Sequence, residues 1–154
     1  MKARASQHRR LLPGRSRFGR RSCVVLLMLF SAMAQAQDMV VIANKSVSGS
    51  LSREQVANNF LGKSVSLPSG GRAQPVDLPA SNPLREQFYS RVTGKSTAEV
   101  KAYWARLVFT GRALPPKEAR SSAEVRRIVA STFGAVGYVE PSAAGETVTV
   151  IYRD

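Results

Sequence analysis

The chain has 154 residues, a formal net charge of +13, and a single cysteine and a single histidine, Cys23 and His8. Eight of its 23 basic residues lie in Met1–Arg21, and all ten acidic residues follow that segment. The remainder therefore carries a charge of only about +5, which favours an anionic ligand or surface and gives no indication of nucleic-acid binding.

The first 36 residues are predicted to be a secretory signal peptide. The basic segment precedes an apolar run, Val24–Phe30, and Ala34-Gln35-Ala36 has the small residues of a cleavage site. The apolar run is short for a bilayer span, although an uncleaved amino-terminal anchor is the alternative. We therefore expect residues 37–154 to form a periplasmic domain with no stable membrane insertion after cleavage.

Residues 37–154 contain neither cysteine nor histidine. This composition excludes a disulfide, a thiol nucleophile, an imidazole base and a His/Cys metal site from the exported part. We predict a protein that is not an enzyme and that has no cofactor or metal. The one candidate catalytic pair is Asp77 with Ser81, and a carboxylate that stabilises a turn is the more ordinary interpretation.

The domain begins with a predicted buried strand, Met39–Ala43, which is apolar and β-branched at its centre. Lys45 and Ser46 follow this strand, and strand ends are where α/β sheets bind ligands. They are therefore candidate anion-binding residues, with a solvated loop as the alternative.

A capping box, Ser52 with Gln55, predicts the start of the first helix, and Gly62 predicts its end. The polar segment Lys63–Arg72 is typical of a surface turn, and Ala73–Asp77 is predicted to be the second strand. The apolar face of the helix consists of Val56, Phe60 and Leu61.

A second helix is predicted after this strand, with Asn82 as its N-cap and Pro83 at its first position. Its free backbone N–H groups, near Leu84, and the Ser81 hydroxyl form a candidate anion site, to which Arg85 adds a charge. An ordinary capped helix is the alternative. The buried stripe of this helix is predicted to be Leu84, Phe88 and Val92.

Two further capping boxes predict the third and fourth helices, which begin after Ser96 and Ser121. Trp104 lies in phase with the apolar face of the third helix and is predicted to be a core residue. A rigid loop, Gly111–Lys117, separates the two helices. The predicted apolar positions are Val100, Tyr103, Trp104, Leu107 and Val108 in the third helix, and Val125, Ile128, Val129 and Phe133 in the fourth.

Two strands close the chain, one after Gly134 and one over Thr147–Tyr152. The predicted order is β-α-β-α-α-α-β-β, with four helices packed on a small sheet. The predicted fold class is therefore α/β, a mixed sheet flanked by helices.

Three segments resemble one lobe of the periplasmic phosphate-binding proteins of ABC transporters. They are Leu51–Lys63, Val76–Tyr89 and Val125–Glu140. More closely, the chain resembles the small, single-lobe exported proteins that are grouped with those receptors. The resemblance implies that residues 37–154 form a single lobe of a type-2 periplasmic-binding fold.

In the two-lobed receptors, an Arg and a following Ser-Gly-Thr turn at a helix N-terminus hold phosphate between the lobes. Ser81 matches the family Ser, whereas Asp77 or Leu78 stands at the place of the Arg, and Pro83 replaces the Thr. The resemblance thus implies a weakened anion site on one wall of a cleft.

Two functions follow as predictions. The first is a non-catalytic, solute-binding-like domain that binds phosphate or a similar small anion weakly and is linked to phosphate ABC transport. The second is an envelope accessory module that kept the receptor lobe, lost the ligand site and binds an envelope protein or a transporter.

Overall fold

The computed structural model describes residues 38–154, so the predicted signal peptide lies outside the described residues. The strands and helices follow the predicted order, with one short strand and one short helix in addition. The strands are β1 Val40–Asn44, β2 Gln74–Asp77, β3 Lys117–Glu118, β4 Ala135–Val139 and β5 Val148–Arg153; the helices are α1 Arg53–Phe60, α2 Pro83–Phe88, α3 Thr97–Phe109, α4 Ser122–Ser131 and α5 Pro141–Ala144, with a π-helical turn at Tyr89–Thr93.

The five strands form one mixed sheet in the order β3-β2-β4-β1-β5. β2 pairs in parallel with β3 and β4, whereas β1 pairs antiparallel with β4 and β5. We call the end of the sheet at Asp77 and Glu118 the carboxyl end, and the end at Gln74 and Ala135 the amino end. Because β1 is antiparallel to β4, it begins at the carboxyl end and finishes at the amino end.

Adjacent residues of β4 show how the two faces of the sheet are covered. Gly137 lies against α4 so closely that a Cβ there would overlap Val125. Tyr138 points to the opposite face, as alternation along a strand requires. Its ring stacks on Phe88 at a centroid distance of 3.9 Å and meets Phe60 edge-on at 5.6 Å. Helices therefore cover both faces, and the core is continuous around the sheet.

Local signals located most helix ends correctly. The Ser52–Gln55 and Ser96–Glu99 capping boxes are both formed, with reciprocal side-chain and backbone hydrogen bonds. At the start of α4 the Glu124 amide donates to the Ser121 hydroxyl, but the Glu124 carboxylate accepts from the Arg120 amide, so this box is only half formed.

Four expectations differ from the structure. Val108 was expected on the apolar face of α3, but it is 46% exposed. The predicted loop Gly111–Lys117 ends in β3, a two-residue strand that exists only through its pairing with β2. The four-residue helix α5 was not predicted. Phe133 was expected on the buried face of α4, but that helix ends at Ser131 and Phe133 is 65% exposed.

Candidate functional site

The turn between β2 and α2 lies at the carboxyl end of the sheet, where ligands of open α/β sheets usually bind. Its backbone amides are already occupied. The Asn82 side chain accepts from the Leu84 amide at 2.9 Å, and the Arg85 amide donates to the Asn82 carbonyl at 3.1 Å. The Asn82 amide itself donates to Pro79, and Pro83 has no N–H to offer. The predicted anion site made of free amides at Asn82 and Leu84 is therefore closed by the turn's own hydrogen bonds.

Asp77 is one of the two residues that could stand where the family resemblance calls for an arginine, and it is buried, with 3% exposure. Its Oδ1 accepts from the Leu78 amide at 2.8 Å and from the Tyr138 hydroxyl at 2.5 Å. Its Oδ2 accepts from the Tyr89 hydroxyl at 2.8 Å and lies 3.1 Å from Arg85 Nη2. A carboxylate with this many donors has no capacity left to activate Ser81.

The two tyrosines of this cluster remain neutral donors at any ordinary pH. Burial is the main reason that the pKa of Tyr89 and of Tyr138 is raised, and the adjacent Asp77 charge raises both further. The cluster is thus a buried ion pair of Asp77 and Arg85. The two neutral tyrosine hydroxyls donate the further hydrogen bonds that the carboxylate needs.

Arg85 is only partly committed to this ion pair. Its side chain is 13% exposed, Nη2 faces Asp77, and the guanidinium lies 5.5 Å from the centre of the Tyr89 ring. Its buried Nε has no hydrogen-bond partner among residues 38–154. A buried donor without an acceptor costs free energy, so this group could be satisfied by an added acceptor.

Beside this arginine lies a cavity of about 360 Å³, which we call the Arg85–Lys101 cavity. The carboxyl ends of β2 and β3 and the first turns of α3 surround it. It has two cationic side chains and one carboxylate, that of Glu118. The lining residues are Ala80, Arg85, Thr97, Ala98, Lys101, Trp104, Pro115 and Glu118.

Trp104 forms a wall of this cavity and is 6% exposed, which agrees with its prediction as a core residue. The six-membered edge of its indole ring packs against Gly62. Its Nε1 is a second buried donor that lacks a partner within the described residues. Arg85, Trp104 and Lys101 therefore line one cavity, and the two unsatisfied N–H groups on Arg85 and Trp104 are atoms with almost no accessible surface.

The structure separates the predicted site residues into two groups. Ser81 is exposed in the turn and follows Ala80, which lines the Arg85–Lys101 cavity, but Ser81 is not itself a lining residue. Lys45 and Ser46 follow β1, which is antiparallel, so they lie at the amino end. The Ser46 amide and hydroxyl both donate to Asn44 Oδ1, at 3.0 and 2.8 Å. They form a solvated loop there and do not share a site with Ser81.

Sequence reasoning missed Thr97, Lys101 and Trp104 as site residues. They recur at i, i+4 and i+7 along α3, so the spacing alone places them on one side of that helix. The sequence could not show that this side faces the turn after β2, because that depends on how α3 packs in the fold.

The described residues contain no group of three or more Asp, Glu, His and Cys side chains that could hold a metal ion. Within 38–154, no helix combines the length and the apolarity that a bilayer crossing needs.

No family model and no curated protein matches the chain. Solved structures do match it. An ABC-type phosphate transport receptor from Vibrio cholerae aligns with a TM-score of 0.59 at 17% identity, covering 75% of this chain and 45% of the receptor. This chain therefore has the fold of one lobe of such a receptor.

Two other receptors support this assignment. A phosphate ABC transporter substrate-binding protein with bound phosphate, from Clostridium perfringens, aligns with a TM-score of 0.59 at 16% identity and covers the same 75% of this chain and 44% of its own length. PstS from Borrelia burgdorferi aligns with a TM-score of 0.51 at 11% identity, covering 75% and 46%. This chain spans less than half the length of these receptors. The predicted mixed sheet flanked by helices, and its resemblance to a single phosphate-receptor lobe, are confirmed.

Proposed function

We propose that this chain is an exported, non-catalytic binding lobe that takes phosphate or a similar small anion weakly in the Arg85–Lys101 cavity. The observation that carries the proposal is the pair of buried, unpartnered donors, Arg85 Nε and Trp104 Nε1, on residues that line this cavity together with Lys101. A phosphoryl oxygen accepts from such groups and would remove their desolvation cost.

The fold neighbours support this choice of ligand class. All three are phosphate receptors or PstS by name, and one of them was solved with phosphate bound. In this chain the side chains of Arg85 and Lys101 take the place of the amides that the turn has already used. Ser81, which follows the lining residue Ala80, has an exposed side chain whose hydroxyl could make an additional contact.

Weak binding follows from the size of the chain and from one of the lining residues. A single lobe supplies one wall of a cleft, so the ligand stays hydrated on its open side and the gain from preorganised, dehydrated donors is small. Glu118 also lines the cavity and repels an anion. We therefore propose that a transporter or another envelope protein of the phosphate ABC system supplies the second wall, in the periplasm.

The sole tryptophan of the chain lines both the proposed site and a second cavity that contains Arg72 and Arg112. Its fluorescence therefore reports ligand entry, and the Lys101 variant assigns that signal to the Arg85–Lys101 cavity. Titration with phosphate and with sulfate should change the emission of Trp104, with half-saturation in the millimolar range. Lys101→Met should weaken the titration about tenfold, because it removes one charge without disturbing the Asp77 ion pair. Lys45→Met, at the opposite end of the sheet, is the matched control and should leave the titration unchanged.

Two results would refute anion binding. One is a fluorescence and thermal-melting profile that does not respond to phosphate or sulfate at tens of millimolar. The other is equal weakening by Lys101→Met and Lys45→Met, since this would indicate a nonspecific effect of net charge.

An accessory module that lost its ligand site is the second candidate function. The occupied amides of the turn favour it, because the donors that would surround phosphate at a helix N-terminus are hydrogen-bonded within the chain. Under this alternative, wild type and Lys101→Met would both be insensitive to anions, and the lobe would act only through its surface.

A further inference from the structure

Three large apolar side chains in segments at the amino end of the sheet are exposed to solvent. Phe109 is 93% exposed, Leu114 is 81% exposed and Phe133 is 65% exposed. α3 has its first turns at the carboxyl end and finishes at Phe109, and the loop that follows it leads to the start of β3. Phe133 is held at the same end, because its carbonyl accepts from the Gln74 side chain at 3.2 Å.

Cations accompany these apolar groups. A cavity of about 490 Å³ at the amino end is lined by Arg72, Arg112 and Lys117, and by Leu114, with no carboxylate among its lining residues. None of these three cations takes part in an ion pair within residues 38–154. We call this surface the apolar–basic edge: Phe109, Leu114, Phe133, Arg72, Arg112 and Lys117.

The local sequence strengthens the charge pattern. From Val100 to Lys117 the chain has four basic residues and no acidic one. A second copy of the chain would bring the same uncompensated cations face to face, which disfavours self-association through this edge. The edge therefore fits an anionic partner that also accepts apolar side chains.

We propose that the apolar–basic edge docks on an anionic phospholipid bilayer. Phe109 and Leu114 enter the boundary between headgroups and acyl chains, and a headgroup phosphodiester is held in the cavity by Arg72, Arg112 and Lys117. This combination of apolar side chains with cations is how peripheral proteins bind anionic membranes. The cations of this edge differ from those of the proposed anion site, although the two cavities share Trp104 and Pro115 as lining residues.

A bilayer fits the geometry better than an acidic protein does. At 93% exposure, Phe109 makes almost no contact with its own protein and projects from the surface. A fluid bilayer accommodates a projecting ring anywhere on its surface, whereas a protein partner needs a pocket shaped for it.

Vesicle flotation of the full chain tests the proposal. Wild type should float with vesicles of phosphatidylglycerol and phosphatidylcholine and not with phosphatidylcholine alone. Phe109→Ser combined with Leu114→Ser should lower the partition coefficient at least about tenfold, and so should Arg72→Gln combined with Arg112→Gln. Arg53→Gln combined with Lys95→Gln removes the same charge from a different surface and should change it little. All altered side chains are at least partly exposed, so the fold is retained.

A local probe separates this edge from the basic segment Met1–Arg21, which is present in every variant. In a Cys23→Ser background, an environment-sensitive fluorophore on Phe109→Cys should shift to the blue when anionic vesicles are added. The same fluorophore on Ser81→Cys, at the carboxyl end, should not shift.

Four outcomes would overturn the proposal. The first three are flotation that the paired edge substitutions leave unchanged, an unshifted probe at position 109, and a probe shift that appears with increasing protein concentration and no vesicles. The third would identify a second copy as the occupant. A shift at position 109 that needs an acidic protein in place of vesicles would identify a protein partner and would equally refute the bilayer.

Discussion

The two ends of the sheet differ in whether their charged side chains are paired within the described residues. At the carboxyl end, Asp77 is buried and has four donors, one of them Arg85, so the polar groups of the turn are largely satisfied within the chain. At the amino end, Arg72 and Lys117 line an open cavity with no carboxylate among its lining residues, and Phe133, whose carbonyl accepts from the lining residue Gln74, is exposed. Most polar groups at the carboxyl end are therefore bonded within the chain, whereas the cations at the amino end are more exposed to a partner.

The largest expected effect is on stability at the carboxyl end. Asp77→Ala should lower the free energy of unfolding by about 3–5 kcal/mol, because it leaves the buried Arg85 without its counter-ion and two hydroxyls without an acceptor. Urea unfolding monitored by Trp104 fluorescence measures this. Lys117→Ala, at the amino end, is the control and should cost under about 0.5 kcal/mol. Equal losses for the two variants would contradict the contrast between the ends.

Gly134, at the amino end, adopts a left-handed backbone conformation with φ +82°. A Cβ there would lie 2.8 Å from the Arg72 carbonyl oxygen. Gly134→Ala should therefore cost about 2–4 kcal/mol, the sum of backbone strain and displacement of that carbonyl. Gly70→Ala has a similar φ of +86° and no atom near its Cβ, so it isolates the strain and should cost about 1–2 kcal/mol. Thermal melts of the two variants should differ in this order, and the reverse order would refute the close approach.

Alkaline pH should lower the free energy of unfolding through the two buried tyrosines at the carboxyl end. In the folded chain the pKa of Tyr89 and Tyr138 lies above the ordinary value of 10.0, chiefly through burial. Their contribution to stability is therefore complete below pH 10 and is lost as the pH rises further, when the unfolded chain releases its protons and the folded chain does not. Each tyrosine should lower the free energy of unfolding by about 1.4 kcal/mol per pH unit above 10. Tyr138→Phe should remove about half of this slope; an unchanged slope would mean that Tyr138 ionises freely.

The smallest expected effect is at the apolar–basic edge. Phe109→Ser should change the free energy of unfolding by no more than about 0.5 kcal/mol, because the ring is almost fully exposed in the folded chain. A matched change in the core, Phe88→Ser, should prevent stable folding, since that ring is buried against Tyr138. If Phe109→Ser were strongly destabilising, the ring would be part of the core and the surface would not be free.

The sequence predicted the helix starts well because capping is a local interaction. Ser52 and Ser96 bond to groups three residues away, so their role is independent of the rest of the fold. Gly94 likewise ends the π-helical turn in a left-handed conformation, at φ +69°. Periodicity similarly identified Trp104 as buried.

The candidate site was harder to predict. The free amides expected near Leu84 are capped by Asn82, the same residue whose identity predicted the helix start. The sequence also could not show that Lys101 of α3 lies beside the turn after β2, or that Lys45 lies at the opposite end, because strand direction depends on pairing between segments far apart in the chain.

The sequence by itself determined which segments become helices and strands, where most helices begin and end, and the resemblance to one receptor lobe, since all of these depend on neighbours within a few residues. Only the tertiary structure decided which groups remain free to bind. It brought Tyr89, Tyr138 and Arg85 onto Asp77. Within residues 38–154 it also left Arg72, Arg112 and Lys117 outside any ion pair, because charges are paired or left unpaired by contacts between distant segments.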